Sequence, residues 1–272
     1  MMLGNSTSPL RSLGRKLRLP LIALTIIAAA PRVDIPGVAT VEAAPRPAAT
    51  RASAAAVPAV QKTMPAFAKD VRGLSPQVLA MALDAVSCAR AKGASGKDDL
   101  LTIIDYSLPS TQPRLWVLDL ENGRVLFHEL VAHGQGTGDN YATRFSNVKD
   151  SKQTSLGLFL TGGTYEGGNG YSLKLKGLDE GINDRAEERH IVIHGAWYVS
   201  ADHARKQGRL GRSWGCPALS QESARTVIDT IKGGSFVFSY AGEKTWIKTA
   251  STSLNSCGAP GGSPLVNAEA AK

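Results

Sequence analysis

The sequence has few features that would place it in a membrane, on nucleic acid or in a repeat array. Beyond residue 30, no apolar run reaches the roughly 20 residues that a membrane-spanning helix needs. No basic cluster is interleaved with aromatic residues and no nucleic-acid motif is present, so no nucleic-acid partner is expected. No internal repeat is found either. The 272 residues, 43% apolar and 20% charged, are typical of one globular domain with additional segments.

The first 44 residues have the layout of a secretory signal peptide. A basic region precedes an apolar stretch of twelve residues at 19–30, and small residues follow. The basic region contains Arg11, Arg15, Lys16 and Arg18. Because this apolar stretch is short for a membrane span, an uncleaved anchor is the weaker alternative. We therefore expect export to the periplasm or cell wall, without stable insertion in the membrane.

Composition and charge describe the remainder of the exported chain. Residues 45–65 are rich in alanine and proline and are predicted to form a linker, and residues 250–272 are predicted to form a flexible tail. Removing residues 1–44 takes away five basic and two acidic residues, so the formal charge falls from +8 to +5. A modest positive charge suits work beside an anionic cell wall.

Between linker and tail, a helical segment at 66–98 is expected to pack on a catalytic domain at 99–249. Ser75 and Pro76 open the helix as its N-cap and first residue, and Gly93 ends it. The strands are predicted at 100–106, 114–120, 124–131, 155–161, 171–175, 190–193 and 235–240, with a hairpin turn at Asn122-Gly123 and a later helix between Ser220 and Gly233. This pattern predicts a β-rich α+β fold, a mixed sheet or sandwich with a few packed helices.

The stretch from His190 to Leu219 carries the residues suited to catalysis. A cysteine attacks as its thiolate, and a free thiol with a pKa of about 8.5 needs a base. His194 is the candidate base, and Cys216, 22 residues further along, is the candidate nucleophile. The N-terminus of the helix that follows the cysteine is expected to help lower the thiol pKa. No metal or organic cofactor is required. The backbone amides predicted to form an oxyanion hole are those of Trp214, Gly215 and Cys216.

The motif IHG at 193–195 followed by SWGC at 213–216 resembles the signature of the L,D-transpeptidase catalytic-domain family (YkuD-like). The segments GYSLKLKGLDEGINDRAEERHIVIHGAWYVS and GRSWGCPAL are similar to its central block, and with FSNVKDSKQTSLGLF the resemblance covers about residues 100–240. It implies a cysteine acyltransferase that acts on peptidoglycan tetrapeptide stems through a thioester, forms 3-3 cross-links and is acylated by carbapenems. If water resolves the thioester, the same enzyme is an L,D-carboxypeptidase.

Two positions depart from the family pattern. Trp214 stands where most members have histidine, and Ala218 stands where many have arginine or asparagine. We therefore expect Arg212 to hold a substrate carboxylate beside the thiol. The other residues expected to contact substrate are Ser213, Gly195 and Tyr198. Two further histidines are predicted to lie outside the site, His133 as a loop residue and His203 at the surface.

Two other functions compete with this interpretation. A zinc hydrolase would use His190, His194 and Cys216 as ligands, although HIVIH resembles a strand and lacks the acidic residue of HExxH. A non-catalytic wall-binding module would keep Cys216 as a structural residue. Loss of activity on chelation would favour the first, and a Cys216 that electrophiles do not label at neutral pH would favour the second.

The cysteine count predicts one disulfide. Three cysteines in an oxidising compartment leave one unpaired, and the nucleophile must stay free. Cys88 and Cys257 are therefore predicted to pair, which would tie the tail to the first helix.

Overall fold

A computed structural model of the chain describes residues 71–243, 246–247 and 257. The predicted signal peptide and linker lie outside these residues, as does the predicted tail apart from residue 257. Within the described ranges no helix combines the length and apolarity needed to cross a membrane. The helices are α1 (Pro76–Ala91), α2 (Ala201–Gln207) and α3 (Gln221–Ile231). The strands are β1 (Leu100–Asp105), β2 (Leu115–Asp119), β3 (Arg124–Glu129), β4 (Gly157–Gly167), β5 (Gly170–Gly177), β6 (Val192–Ala196), β7 (Ala218–Ser220) and β8 (Phe236–Tyr240).

All eight strands belong to one mixed sheet, in the order β3-β2-β1-β8-β4-β5-β6-β7. The pairs β1–β8 and β6–β7 are parallel, and the other pairs are antiparallel. Just after the edge strand β3, Ala132 exchanges two backbone hydrogen bonds with Ala218 of the opposite edge strand β7. The sheet therefore curls until its two edges meet, and the predicted β-rich α+β class is confirmed.

Helix α1 begins and ends close to the predicted residues. Pro76 is its first residue, and Gly93 follows its end with a left-handed φ of 93°. Ser75 occupies the N-cap position, but its hydroxyl donates to Oε1 of Gln77 and caps no backbone amide. The apolar side of the helix, which includes the fully buried Leu79, joins the core beside β1 and β8. Burial of a side chain of that size contributes about 2 kcal/mol.

The predicted disulfide between Cys88 and Cys257 is confirmed, with Cα atoms 5.4 Å apart. It joins the last turn of α1 to a residue of the predicted tail, across 169 positions of sequence. Cys216 is then the remaining cysteine of the three, and its thiol is free. The pairing leaves the candidate nucleophile available in an oxidising compartment.

Two short elements near the candidate site are not predicted from the sequence. Helix α2 begins after Ser200, whose hydroxyl accepts from the amide of His203, and ends at Gly208 with a φ of 69°. Strand β7 has only three residues. The predicted strand at 190–193 begins two residues later, because His190 adopts a left-handed φ of 54° that a strand does not accommodate.

Candidate active site

The candidate base and nucleophile lie at one edge of the sheet. In the parallel pair of β6 and β7, His194 is level with Ala218, so continuing this register back by two residues brings Cys216 level with Val192. Burial raises the pKa of the thiol, and a hydrogen bond from the Val192 amide opposes this rise. Because side chains two residues apart on a strand share a face, Cys216 and His194 lie on the same face of the sheet. Helix α3 packs on β6 and covers the other face.

His194 is held in the protonation state that a base requires. The side chain is 4% exposed, and its Nδ1 lies 2.9 Å from the carbonyl oxygen of Gly195. Because a carbonyl only accepts, Nδ1 carries the hydrogen and Nε2 keeps its lone pair. Burial lowers the pKa of the imidazole, against a smaller opposing effect of the Gly195 bond. His194 is therefore neutral at pH 7, with Nε2 available to accept a proton.

Cys216 is a buried thiol in a mixed electrostatic environment. Its Sγ donates to the carbonyl oxygen of His190 at 3.6 Å. Burial raises the thiol pKa, and the Val192 amide, the charge of Arg189 and the amide of Cys216 itself oppose the rise. The pKa of the thiol is raised overall, because burial outweighs the groups that lower it. A nearby base is consequently required to generate the thiolate.

Ser213 closes the turn that presents the cysteine. Its hydroxyl donates to the carbonyl oxygen of Cys216 at 2.6 Å and accepts from the amide of Gly215 at 3.1 Å. The side chain is buried, so the predicted contact of Ser213 with substrate is replaced by a role inside the turn. The Gly215 amide, one of the three predicted for an oxyanion hole, thus already has a partner in the Ser213 hydroxyl.

Two other chain segments pack tightly against this turn. The amide of Ser213 donates to the carbonyl oxygen of His133. A side chain on Gly134, which follows His133, would come within 2.8 Å of the Gly215 Cα atom. Gly215 itself has a φ of 121°, and a side chain there would meet the carbonyl oxygen of Gln153 at 2.8 Å. The segments 133–136 and 150–154 therefore fix the cysteine turn from behind.

His133 lies in a loop, as predicted, and is buried there. Its Nδ1 lies 2.8 Å from a guanidinium nitrogen of Arg114, and its Nε2 lies 3.3 Å from the carbonyl oxygen of Gly138. Because arginine only donates, Nδ1 accepts and Nε2 donates. Burial, followed by the charge of Arg114, lowers the pKa of His133 to about 4. Both ring nitrogens are occupied, so His133 has no lone pair left for catalysis.

Arg114 is the residue of this region that sequence reasoning missed. It is fully buried and also donates to the carbonyl oxygens of Val131 and Leu108. Its guanidinium carbon lies 5.0 Å from the ring centre of Tyr106. An arginine at the start of a hairpin strand gives no sequence signal of burial, because its partners lie up to 19 residues away.

The remaining predicted substrate contacts fall into different environments. Arg212 already donates to Asp139 at 2.8 Å and to the carbonyl oxygen of Gly138 at 3.0 Å. Gly195 lies against α3 on the far face, and its contribution to the site is the carbonyl that orients His194. Tyr198 is half-buried, and burial together with the charge of Cys216 raises its pKa to about 12, which places it near the thiol. His203 is half-buried and makes an edge contact with Trp197 at 5.7 Å.

A cavity of about 390 Å³ lies beside the chain that leads into β6. Lys174 on β5 is level with Val192 on β6, so it lies on the face that carries His194. His190 and Val192, whose backbone groups contact the thiol, are among the lining residues, whereas Cys216 and His194 are not. The lining residues are Tyr165, Lys174, Leu175, Glu187, His190, Ile191 and Val192.

The ligand set of the alternative zinc site does not assemble. Among the residues that the structure describes, no group of three or more histidine, cysteine, aspartate or glutamate side chains is arranged to hold a metal ion. His190 is exposed and offers the thiol only its backbone carbonyl.

The sequence model of the L,D-transpeptidase catalytic domain matches residues 70–240, which is well over half of the 272 residues. The chain therefore belongs to the L,D-transpeptidase catalytic-domain family. This confirms the resemblance carried by the His-Gly and Ser-Trp-Gly-Cys motifs.

The comparison with solved structures gives matches of low sequence identity. The L,D-transpeptidase LdtMt1 in complex with imipenem is 17% identical, with 52% of this chain and 59% of that chain covered and a TM-score of 0.32. An L,D-transpeptidase from Mycobacterium smegmatis is also 17% identical, with 53% of this chain and 59% of that chain covered and a TM-score of 0.33. The helical cell shape determining protein Pgp2 from Campylobacter jejuni is 18% identical, with 60% of this chain and 56% of that chain covered and a TM-score of 0.35. The chain spans less than two thirds of each of these structures, and a comparison with curated protein sequences gives no match.

Proposed function

We propose that this protein is a cysteine acyltransferase that performs L,D-transpeptidation on peptidoglycan tetrapeptide stems. The observation that carries the proposal is a neutral histidine with a free Nε2, on the same face of the sheet as a buried free cysteine. A nucleophile and an oriented base are the side chains that acyl transfer needs. The substrate class follows from the family.

The residues support a two-step reaction. Nε2 of His194 removes the thiol proton, and the Cys216 sulfur attacks the carbonyl carbon of the third stem residue. The amides of Trp214 and Cys216 stabilise the oxyanion. When the carbon–nitrogen bond breaks, His194 returns the proton to the departing D-alanine amine and a thioester remains. In the second step an acceptor amine gives a proton to His194 and attacks the thioester, so that an amide forms and the thiol is regenerated.

Water in place of the acceptor amine would release a trimmed stem, which is the L,D-carboxypeptidase outcome. The same base and nucleophile serve both outcomes, since only the second attacking group differs. The product of a single incubation therefore distinguishes them.

The proposed location is the periplasm or cell wall. Residues 1–44 have the pattern of a signal peptide. The Cys88–Cys257 disulfide is an independent observation that supports it, because such bridges form and persist in oxidising compartments.

The experiment is an incubation of the exported protein with disaccharide-tetrapeptide, followed by mass spectrometry of the products. We expect cross-linked dimers that have lost one D-alanine, and none with the variant Cys216→Ala. Tripeptide stems alone would identify the carboxypeptidase. A carbapenem should add its mass to the wild-type protein and not to Cys216→Ala; equal adducts on both proteins would contradict the proposal.

A further inference from the structure

Arg189 fastens one segment of the chain through four hydrogen bonds. Its two terminal guanidinium nitrogens each donate twice, and all four acceptors lie within residues 146–155. No carboxylate of the described residues pairs with it, and the neighbouring Glu188 is bound to Arg185. The acceptors are the carbonyl oxygens of Ser146 and Gln153, each at 2.6 Å, and the hydroxyls of Ser151 and Ser155.

The fastened segment supports the cysteine turn. Gln153, whose carbonyl is bound by Arg189, packs against Gly215. Asp150 and Lys152 adopt left-handed φ angles of 60° and 55°, which are sterically disfavoured for residues with a Cβ atom. Such conformations persist where the surroundings hold them. The bonds from Arg189 are therefore part of what keeps this segment in place behind the turn.

Arg189 also lies close enough to the thiol for its charge to act on it. The next residue, His190, gives the carbonyl oxygen that accepts from Sγ at 3.6 Å. The Nε atom of Arg189 is buried and has no hydrogen-bond partner among the described residues. Burial raises the pKa of Cys216, and the charge of Arg189 opposes that rise. Burial likewise lowers the pKa of Arg189, and the charge of Cys216 opposes that change.

Arg212 has a different electrostatic setting. Its charge is paired with the carboxylate of Asp139 at 2.8 Å. Arg212 is not among the charges that shift the pKa of Cys216. Of these two arginines, only Arg189 has a charge that acts on the thiol.

We propose that Arg189 is a positioning residue of the acyl-transfer site, which holds residues 146–155 against the cysteine turn and stabilises the Cys216 thiolate with a charge that no carboxylate in the described part of the chain neutralises. This inference rests on the proposed role of Cys216 as nucleophile.

The test measures the rate at which iodoacetamide alkylates Cys216 as a function of pH, with the adduct quantified by mass spectrometry on the disulfide-bonded protein. Because the thiolate is the reactive form, the midpoint of the profile reports the thiol pKa. We expect Arg189→Gln, which removes the charge but keeps amide donors, to raise the midpoint by about one pH unit. At pH 7 this corresponds to roughly tenfold slower alkylation. Arg189→Lys keeps the charge and should retain most of the wild-type midpoint.

Arg185→Met is the matched control, because it removes an exposed arginine of the same segment that is paired with Glu188. Its midpoint should equal that of the wild type. If Arg189→Gln does not fold, Arg189→Met replaces it as the neutral variant. The inference would be overturned if the alkylation midpoint of the neutral variant equalled that of the wild type. It would also be overturned if the midpoint of Arg189→Lys shifted as far as that of the neutral variant. If the protein did not turn over tetrapeptide but the pH profile of alkylation still depended on Arg189, the proposed function would be rejected. The role of Arg189 toward the thiol would remain supported.

Discussion

Two regions of the molecule contain the same His-Gly dipeptide in buried surroundings, and the two histidines differ in the partners of their ring nitrogens. His133-Gly134 lies behind the cysteine turn, and His194-Gly195 lies on β6. Burial lowers the pKa of both imidazoles, so both rings are neutral at pH 7. They differ in tautomer: Arg114 forces the hydrogen of His133 onto Nε2, whereas the Gly195 carbonyl draws that of His194 onto Nδ1.

The comparison shows that the hydrogen-bond partner decides the role, because residue type and burial are the same. His133 uses both nitrogens to join Arg114 to Gly138 and so contributes to structure. His194 uses one and keeps a lone pair. A buried donor beside Nδ1 makes a histidine structural, and a buried acceptor there leaves Nε2 free as a base.

The largest expected effect comes from placing asparagine at both positions. Asparagine reproduces the Nδ1 position of histidine and lacks a group at Nε2. His194→Asn keeps the bond to Gly195 and should reduce the rate of carbapenem acylation about 10³-fold, as the loss of a general base does. His133→Asn keeps the acceptor for Arg114 and should acylate within about threefold of the wild type once folded. Acylation followed by mass spectrometry measures both.

Cys216→Ala, which should not acylate at all, sets the lower limit of that measurement. Equal loss of acylation in folded His194→Asn and His133→Asn would remove the distinction between the two histidines.

The next effect concerns stability. Arg114→Met removes the donors to the carbonyl oxygens of Val131 and Leu108 and to Nδ1 of His133. Buried acceptors without partners cost about 1–3 kcal/mol each, and removal of a buried cation offsets part of this loss. We expect the free energy of unfolding in urea to fall by about 3 kcal/mol. Arg225→Met, which removes an exposed arginine paired with an exposed glutamate, should change it by less than about 1 kcal/mol.

The sequence points to the candidate residues of the site more readily than to the residues that support them. Cys216 and His194 were identifiable because their motifs are local, and the Asn122-Gly123 hairpin for the same reason. The burial of His133 depends on Arg114, which is 19 residues away, and the position of Arg189 depends on a segment some 35 residues earlier. Such long-range pairings leave no periodicity or spacing that a sequence reveals. Helix α2 did carry a local signal, the Ser200 cap and Gly208, that the sequence interpretation overlooked.

The third effect is a pH dependence of stability that belongs to His133. Its pKa is about 4 in the folded protein and about 6.5 in the unfolded chain. Between these values the unfolded chain binds more protons, so the stabilising effect of the neutral ring is present above pH 6.5 and is lost as the pH falls towards 4. His133→Asn cannot titrate, so its urea unfolding free energy should fall less than that of the wild type between pH 7 and 4.5, by about 2 kcal/mol. Parallel curves for the two proteins would show that His133 does not titrate in this way.

The smallest expected effect comes from placing a third histidine beside Cys216. It tests whether His194 remains the base when another imidazole is near the thiol. Trp214 is 74% exposed, and its ring contacts Lys152 at the rim of the turn. Trp214→His puts an imidazole where most family members have one, without changing the Gly195 carbonyl that orients His194. Acylation should therefore stay within about twofold of the wild type, since surface substitutions rarely disturb more than their own contacts. The combination with His194→Asn makes the test strict: if the histidine at 214 restored acylation to that variant, the base would not depend on its place on β6, and the tautomer argument would fail.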